Sequence, residues 1–350
     1  MKATFKIYTL DFRRPSGTSR GVLTQKETWF LILEHEGHRG IGECGMFKGL
    51  SMDDVPEYEA TLQWVCDSIE KGKTYLWNAL RAFPSIQFGL EQAFLSLEAE
   101  DPYELFPSEF TNNEAPIPIN GLIWMGDKGY MLEQIHQKLE AGFRCLKMKI
   151  GAIDFKSEIA LLDAIRNEYG PKRIELRVDA NGAFKPSEAL KKLTELSVFK
   201  LHSIEQPIRQ GNVGEMKSLC EKSPIPIALD EELIGVIDTV DKEALLENIR
   251  PQYIILKPTL VGGYKGSEEW IEIADRLKID WWITSALESN IGLNAIAQWS
   301  YTLNNTMPQG LGTGGLYTNN FECPLQVKNG YIYSRNDTGW PPDLIERLCL

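Results

Sequence analysis

Long apolar runs are missing from this 350-residue chain. No stretch approaches the roughly 18 consecutive apolar residues that a membrane-spanning helix needs. Positive charge is scarce as well: 37 Lys and Arg face 49 Asp and Glu, a formal net charge of −12. Neither nucleic acid nor a membrane is therefore expected as a partner, because an anionic surface needs a basic face to meet it. Histidine is rarer still, with four residues and no HxH or HExxH spacing, which argues against zinc. The six cysteines, at 44, 66, 145, 220, 323 and 349, form no CxxC pair, and scattered thiols of this kind suit a reduced, cytoplasmic protein. The opening Met1-Lys2-Ala3-Thr4-Phe5-Lys6-Ile7 alternates as a strand does and offers no apolar core for a secretory leader. What is present is an ordinary globular composition, 43% apolar and 25% charged, which excludes a disordered or fibrous chain. This length suggests about two domains.

The chain has two textures. Residues 1–110 mix strands at 29–34 and 40–43, joined by the turn Glu36-Gly37-His38, with helices expected at 52–70 and 85–98. A proline-bearing, polar segment at 101–116 reads as a linker. From 116 to 315, β-rich runs recur at 117–124, 145–150, 174–180, 203–208, 225–230, 253–257, 281–286 and 309–312. Helical segments such as 154–169, 186–199 and 263–277 separate them. Strand–helix alternation repeated about eight times predicts a (β/α) barrel, with a doubly wound open sheet as the alternative. The segment 326–333 reads as a turn and strand with no helix after it, returning to the N-terminal part.

Charged residues are costly in strands unless paired, metal-bound or placed at an open end. Here they recur in phase. Lys147 and Lys149 lie on the second run, Asp179 ends the third, Glu205 lies in the fourth, Asp230 ends the fifth and Lys257 the sixth. From Lys149 onward the steps are 30, 26, 25 and 27 residues, each about one βα unit. A barrel brings all six residues to its C-terminal mouth, where barrels of this kind do their chemistry. Three carboxylates from consecutive strands make a hard oxygen site, suited to Mg²⁺ and also to Mn²⁺. Taken singly, each could be an ordinary strand-end cap; it is the phase that argues against this. Lys147 and Lys149 are two apart, so they share one strand face. Like charges that close are expected to depress each other's pKa, which would prepare one lysine as a general base.

The ordered set KxK, D, E, D, K resembles the enolase superfamily, in its muconate-lactonising subgroup, and the resemblance spans the whole chain. Supporting stretches are Gly17-Thr18-Ser19-Arg20-Gly21, Lys257-Pro258-Thr259-Leu260-Val261-Gly262-Gly263, Ser285-Ala286-Leu287-Glu288-Ser289-Asn290 and Gly310-Leu311-Gly312-Thr313-Gly314. They are similar to the branch that dehydrates a succinyl-substituted hydroxycyclohexadiene carboxylate in menaquinone synthesis. The resemblance implies a (β/α)7β barrel at 116–315 under an α+β capping domain, 1–110, joined by the tail 316–350. It also implies a small carboxylate substrate and a Mg²⁺ held by Asp179, Glu205 and Asp230. Lys149 would take the α-proton and return it to the departing hydroxyl, Lys257 would be a fixed cation on the opposite side, and Lys147 would tune Lys149. Arg20 and Ser285 would meet the substrate's tail, with the loops near Arg20 and at 47–51 closing over it. An oligomeric state does not follow from the sequence.

Other readings remain. Dipeptide epimerases of the subgroup carry Asp-x-Asp at the eighth strand, where this chain has Leu311-Gly312-Thr313-Gly314. Racemisation of N-acylamino acids would use the same two lysines. A non-catalytic ligand-binding barrel would be expected to have lost one of the six charged residues, and none is lost. Arg177 shares a face with Asp179 and is expected to pair with the carboxylates.

Overall fold

The computed structural model describes residues 1–18 and 21–349. Its N-terminal sheet is antiparallel, with order β1 (Lys2–Thr18), β2 (Gly21–His35), β3 (His38–Cys44). Three helices follow: α1 (Tyr58–Asp67), α2 (Lys73–Ala79) and α3 (Pro84–Glu98). The expected helix at 52–70 thus begins only after Pro56. Sequence reading overlooked α2, a seven-residue helix that buries only Leu76 and Trp77 and so shows no clear period. On one face of the sheet, Trp29, Leu31 and Leu33 pack with Leu62, Val65, Leu76 and Leu90. Helix α3 lies against β3 at backbone distance. A Cβ on Gly42 would come within 1.9 Å of the Gly89 carbonyl, and one on Gly89 within 2.3 Å of Cys44 Sγ. Only residues without side chains allow that approach.

The segment after α3 holds a short helix, α4 (Glu109–Asn112), and then β4 (Ile117–Pro118). The barrel follows as β5 (Gly121–Ile123), α5 (Lys128–Glu140), β6 (Cys145–Lys149), α6 (Phe155–Glu168), β7 (Glu175–Asp179), α7 (Pro186–Leu196), β8 (Ser203–Glu205), α8 (Val213–Lys222), β9 (Ile227–Leu229) and α9 (Thr239–Ile249). It continues with β10 (Tyr253–Leu256), α10 (Pro258–Val261), α11 (Gly263–Leu277), β11 (Asp280–Ile283) and α12 (Asn290–Thr302). Strands β5 to β11 form one parallel sheet in sequence order. Two parallel bridges close it, Ile119 to Gln309 and Thr284 to Gly310. The last expected run, 309–312, is therefore a seam rather than a strand. At this seam a Cβ on Gly310 would sit 2.4 Å from Thr284 Oγ1, so the closure needs glycine. The first expected run, 117–124, divides in two, because β4 pairs outside the barrel.

Period-two alternation splits each barrel strand between two environments. Leu146, Met148, Leu176, Val178, Ile204, Ile227 and Ile254 face the helices and join the main core with Leu161, Ile165, Leu193 and Trp270. The opposite faces carry the charged residues. A small separate cluster of Ala228, Ile255 and Trp282 lies on that side.

The tail forms a hairpin, β12 (Leu325–Lys328) and β13 (Tyr331–Ser334), turning at Asn329 and Gly330 with positive φ of 53° and 79°. Strand β13 pairs with β4 rather than with the N-terminal sheet. A helix does follow, α13 (Leu344–Cys349), and its Leu344 and Ile345 pack on Phe30, Ile32 and Ile41.

Helix α3 and the barrel are joined by Glu91, whose carboxylate accepts from the Tyr264 and Lys265 N–H groups at 2.6 and 3.2 Å, in the first turn of α11. Burial pushes this carboxyl up to about 8. Because the folded pKa lies above the unfolded one, the folded chain binds the extra proton, and stability falls as pH rises from about 4.5 toward 8. Urea unfolding at pH 5 and pH 8 checks this. The wild type is expected to lose on the order of 2 kcal/mol more across that interval than Glu91→Gln, which cannot titrate.

Candidate active site

Adjacent strands carry the charged residues to one end because the parallel register aligns them. Lys149 on β6 pairs with Asp179 on β7, and Asp179 pairs with Glu205 on β8. Asp230 follows β9 directly, and Lys257 follows β10. Strands β6 and β10 are four apart in the closed order, so Lys149 and Lys257 approach the mouth from opposite sides. Both line a solvent-open cleft enclosing about 850 Å³, together with Lys147, Asp179, Asn181 and Glu231. Phe47 and Leu50, from the loop after β3, form part of its roof.

The lysines are not equivalent. Lys147 Nζ lies 3.1 Å from Asp179 Oδ2 and also contacts Glu205. Lys149 Nζ lies 2.7 Å from Asn181 Oδ1 and 3.3 Å from Asp179 Oδ2. Lys257 pairs with Asp230. Burial pulls Lys147 down, but Asp179, Glu205 and Asp230 outweigh it and hold the ammonium above its ordinary pKa. The sequence-based expectation was the reverse, that the neighbouring lysine would lower it. It failed because the carboxylates of two further strands stand closer to Lys147 than a strand-by-strand reading reveals. Lys257 is likewise raised, with Asp230 and Glu205 overcoming burial. Asp179, pushed up by burial, is drawn below the usual carboxylate range by Lys147, Lys149 and Lys257.

Glu205 is the odd member. It is 2% exposed; its Oε2 faces the Lys147 ammonium, while its Oε1 has no hydrogen-bond partner among the described residues. Burial, followed by the charge of Asp179, pushes it well above the ordinary carboxylate range against the pull of Lys147. Among the described residues, no three His, Cys, Asp or Glu side chains are close enough to share an ion as placed. Lysine ammoniums lie among the carboxylates instead, on Asp179, Glu205 and Asp230. The donor chemistry nevertheless fits a hard divalent cation. Three buried carboxylates converge here, and Glu205 Oε1 lacks, among the described residues, the donor that a buried acceptor normally has.

Sequence reasoning missed two cleft residues. Asn181 donates from Nδ2 to Glu231 Oε1 at 2.9 Å, accepts from Lys149, and donates its backbone N–H to Asp179 Oδ1 at 3.0 Å. It adopts a positive φ of 42°, a conformation asparagine tolerates. Burial, then Asp230, raises the Glu231 pKa. Their signal was available in Asp179-Ala180-Asn181 and Asp230-Glu231, as polar residues beside strand-end carboxylates.

Ser285 lines the cleft and shares a 2.7 Å hydrogen bond with Thr313. Arg20 lies outside the described residues. Arg177 does not reach the carboxylates. It donates to Glu175 Oε1 at 2.8 Å and to the Pro308 carbonyl at 2.9 Å, and stacks 4.3 Å from the Trp282 ring centre. Two residues nearer the strand's start than Asp179, it sits one layer lower in the barrel interior.

Comparison with known proteins follows the same lines. The family model described as "Enolase C-terminal domain-like" matches residues 130–344. The o-succinylbenzoate synthase of Desulfotalea psychrophila is 46% identical over 95% of this chain and 98% of its own. A crystal structure of MenC from the same organism superposes with a TM-score of 0.85 at 44% identity, covering 95% of this chain and 99% of that one. The muconate lactonizing enzyme of Pseudomonas fluorescens, complexed with muconolactone, shares the fold at a TM-score of 0.84 and 21% identity, covering 99% and 98%.

Proposed function

Because the chain belongs to the o-succinylbenzoate synthase family of the enolase superfamily, we propose that it dehydrates 2-succinyl-6-hydroxy-2,4-cyclohexadiene-1-carboxylate to 2-succinylbenzoate, a step of menaquinone synthesis. The observation that carries this reading is the meeting of Lys149, Lys257 and Asp179 in one cleft, with buried Glu205 and Asp230 paired to the cleft lysines Lys147 and Lys257, in a chain 46% identical to such a synthase. The catalytic part is the barrel, 116–315, and the capping part is 1–110 with the tail 316–350. All six cysteines are unpaired, which suits a cytoplasmic site of action. No helix among the described residues is long and apolar enough to cross a membrane.

Asp179, Glu205 and Asp230 would hold Mg²⁺, or Mn²⁺ in its place. When bound, the ion supplies positive charge to the substrate's ring carboxylate and so acidifies the adjacent C–H. Lys149 takes that proton; its shortest hydrogen bond is to the amide oxygen of Asn181, which can release it toward substrate. Lys147 is a poorer base, because two carboxylates hold its proton. The ammonium formed on Lys149 then gives the proton to the hydroxyl that leaves as water, so one C–H and one C–O bond break and the ring becomes aromatic. Lys257 faces the same ring from the other side and offsets the negative charge that develops on the carboxylate. Ser285, with Thr313, receives the succinyl tail, while Phe47 and Leu50 exclude water from above.

Incubation of the enzyme with this diene and Mg²⁺ tests the reading. The diene absorbance is expected to decay while a product lighter by one water accumulates at the same rate. Decay without 2-succinylbenzoate, or no decay at any enzyme concentration, contradicts it.

A further inference from the structure

Behind the roof of the cleft lies a second cluster of buried charge, formed by β2, β3 and the segment before α12. Glu43 on β3 accepts from Thr28 Oγ1 at 2.9 Å, Ser289 N–H at 2.9 Å, Ser289 Oγ at 2.5 Å and Gly292 N–H at 2.9 Å. It thereby ties the N-terminal sheet to the start of α12. Glu288 is fully buried, accepts from the Ala286 N–H at 2.7 Å, and is bonded by Thr259 Oγ1. Thr259 is two residues beyond Lys257, and Ala286 and Leu287 are in the cleft wall. Leu287 carries a positive φ of 61°, and Tyr317 Oη donates to its carbonyl at 2.7 Å.

The cation of this cluster is Lys26 on β2. It is 7% exposed, and its Nζ is buried with no hydrogen-bond partner among the described residues. Burial lowers its pKa, opposed by the charges of Glu43 and Glu288. The point where a Cβ on Gly45 would stand is 3.4 Å from Lys26 Nζ, 3.4 Å from Glu288 Cγ and 3.5 Å from Thr259 Cγ2. Sheet, wall and the segment after Lys257 therefore meet there. Lys26 also lines a cavity of about 680 Å³ with Met46, Phe47 and Lys48, and Phe47 lines the catalytic cleft as well. A buried ammonium lacking hydrogen bonds is retained only where surrounding charge repays its desolvation.

We propose that Lys26 is a positioning residue for the reaction: its charge, set between Glu43 and Glu288, holds the 46–51 roof against the 285–288 wall. It touches no substrate and acts through the geometry of Phe47, Leu287 and Thr259. The kinetic part of this inference rests on the dehydration proposed above.

The test is Lys26→Met, which keeps length and removes charge, measured in the diene assay and by amide hydrogen exchange. KM is expected to rise at least about tenfold with kcat within about twofold, the pattern of a site that binds poorly but reacts normally once filled. Exchange in 46–51 and 285–288 should quicken. Lys26→Met/Glu288→Gln, which removes one charge of each sign, should relieve both effects. If the single variant does not fold and the double variant does, that outcome supports the same balance of charge. Unchanged exchange in a folded single variant overturns the inference, as does a KM rise that the double variant fails to relieve. Exchange is read without substrate, so a wild type inactive on the diene would overturn the activity and leave this test intact.

Discussion

Replacement of Lys149 by alanine is expected to lower turnover by about 10⁴-fold or more, with binding of 2-succinylbenzoate and of Mg²⁺ retained. General bases typically contribute roughly 10²–10⁴-fold, and the loss expected here is larger because in the proposed mechanism the same nitrogen would both take the proton and return it to the leaving hydroxyl. Among the described residues, no other cleft group is placed to substitute. Lys147 is held between Asp179 and Glu205, and Lys257 approaches from across the barrel. Lys257→Ala is expected to fail for a different reason, the loss of a fixed cation facing developing negative charge in a partly enclosed site. Single-turnover measurements with each variant check this division of labour. If Lys149→Ala kept substantial turnover while Lys257→Ala were inactive, the base would be Lys257.

Conversion of Glu205 to glutamine is the second large effect, expected to weaken Mg²⁺ binding and to cut turnover by about 10³-fold or more, with the fold intact. Glu205 is deeply buried, its Oε1 has no hydrogen-bond donor among the described residues, and burial together with Asp179 opposes its ionisation. A cation relieves that conflict, and an amide cannot replace the charge the cation needs. Stability should change in the other direction from activity. Glutamine removes one of three crowded carboxylates, so the unfolding midpoint of the ion-free variant is expected to equal or exceed that of the wild type. Asp179→Asn and Asp230→Asn should lose activity similarly, but Asp230→Asn takes the ion-pair partner of Lys257 and Asp179→Asn that of Lys149, whereas Lys147 keeps Asp179 when Glu205 is glutamine. Isothermal titration with Mg²⁺ and unfolding in chelator separate the two effects. Normal turnover in any of the three variants removes that residue from the metal site.

The placement of six charged side chains at one mouth was legible because it needs only two regularities: alternation along a strand and a repeat of about one βα unit. What those regularities do not encode is depth. Arg177 shares the face of Asp179 yet belongs to the layer below, where Glu175, Pro308 and Trp282 engage it. Contacts between strands were hidden for the same reason, so the pairing of Lys147 with two carboxylates reversed the direction expected for its pKa. Asn181 and Glu231 escaped notice because they stand one or two residues beyond the in-phase carboxylates Asp179 and Asp230 and so fall outside the repeat. Breaks in apparently continuous runs were likewise invisible. Residues 117–124 serve two sheets, and 309–312 contributes only bridges, since pairing there depends on partners far away in the chain. The Lys26 cluster lies where the N-terminal sheet meets the barrel, and no local pattern marks such a meeting.

Proton abstraction assisted by a metal at Asp179, Glu205 and Asp230 is most directly tested by following the diene absorbance after exhaustive chelation and then during titration with Mg²⁺. The enzyme is expected to be inert in chelator and to regain full turnover on adding Mg²⁺, or substantial turnover with Mn²⁺, because oxygen donors suit both ions. Undiminished turnover in chelator, with no ion detectable in the protein, would contradict the metal assignment and the mechanism built on it.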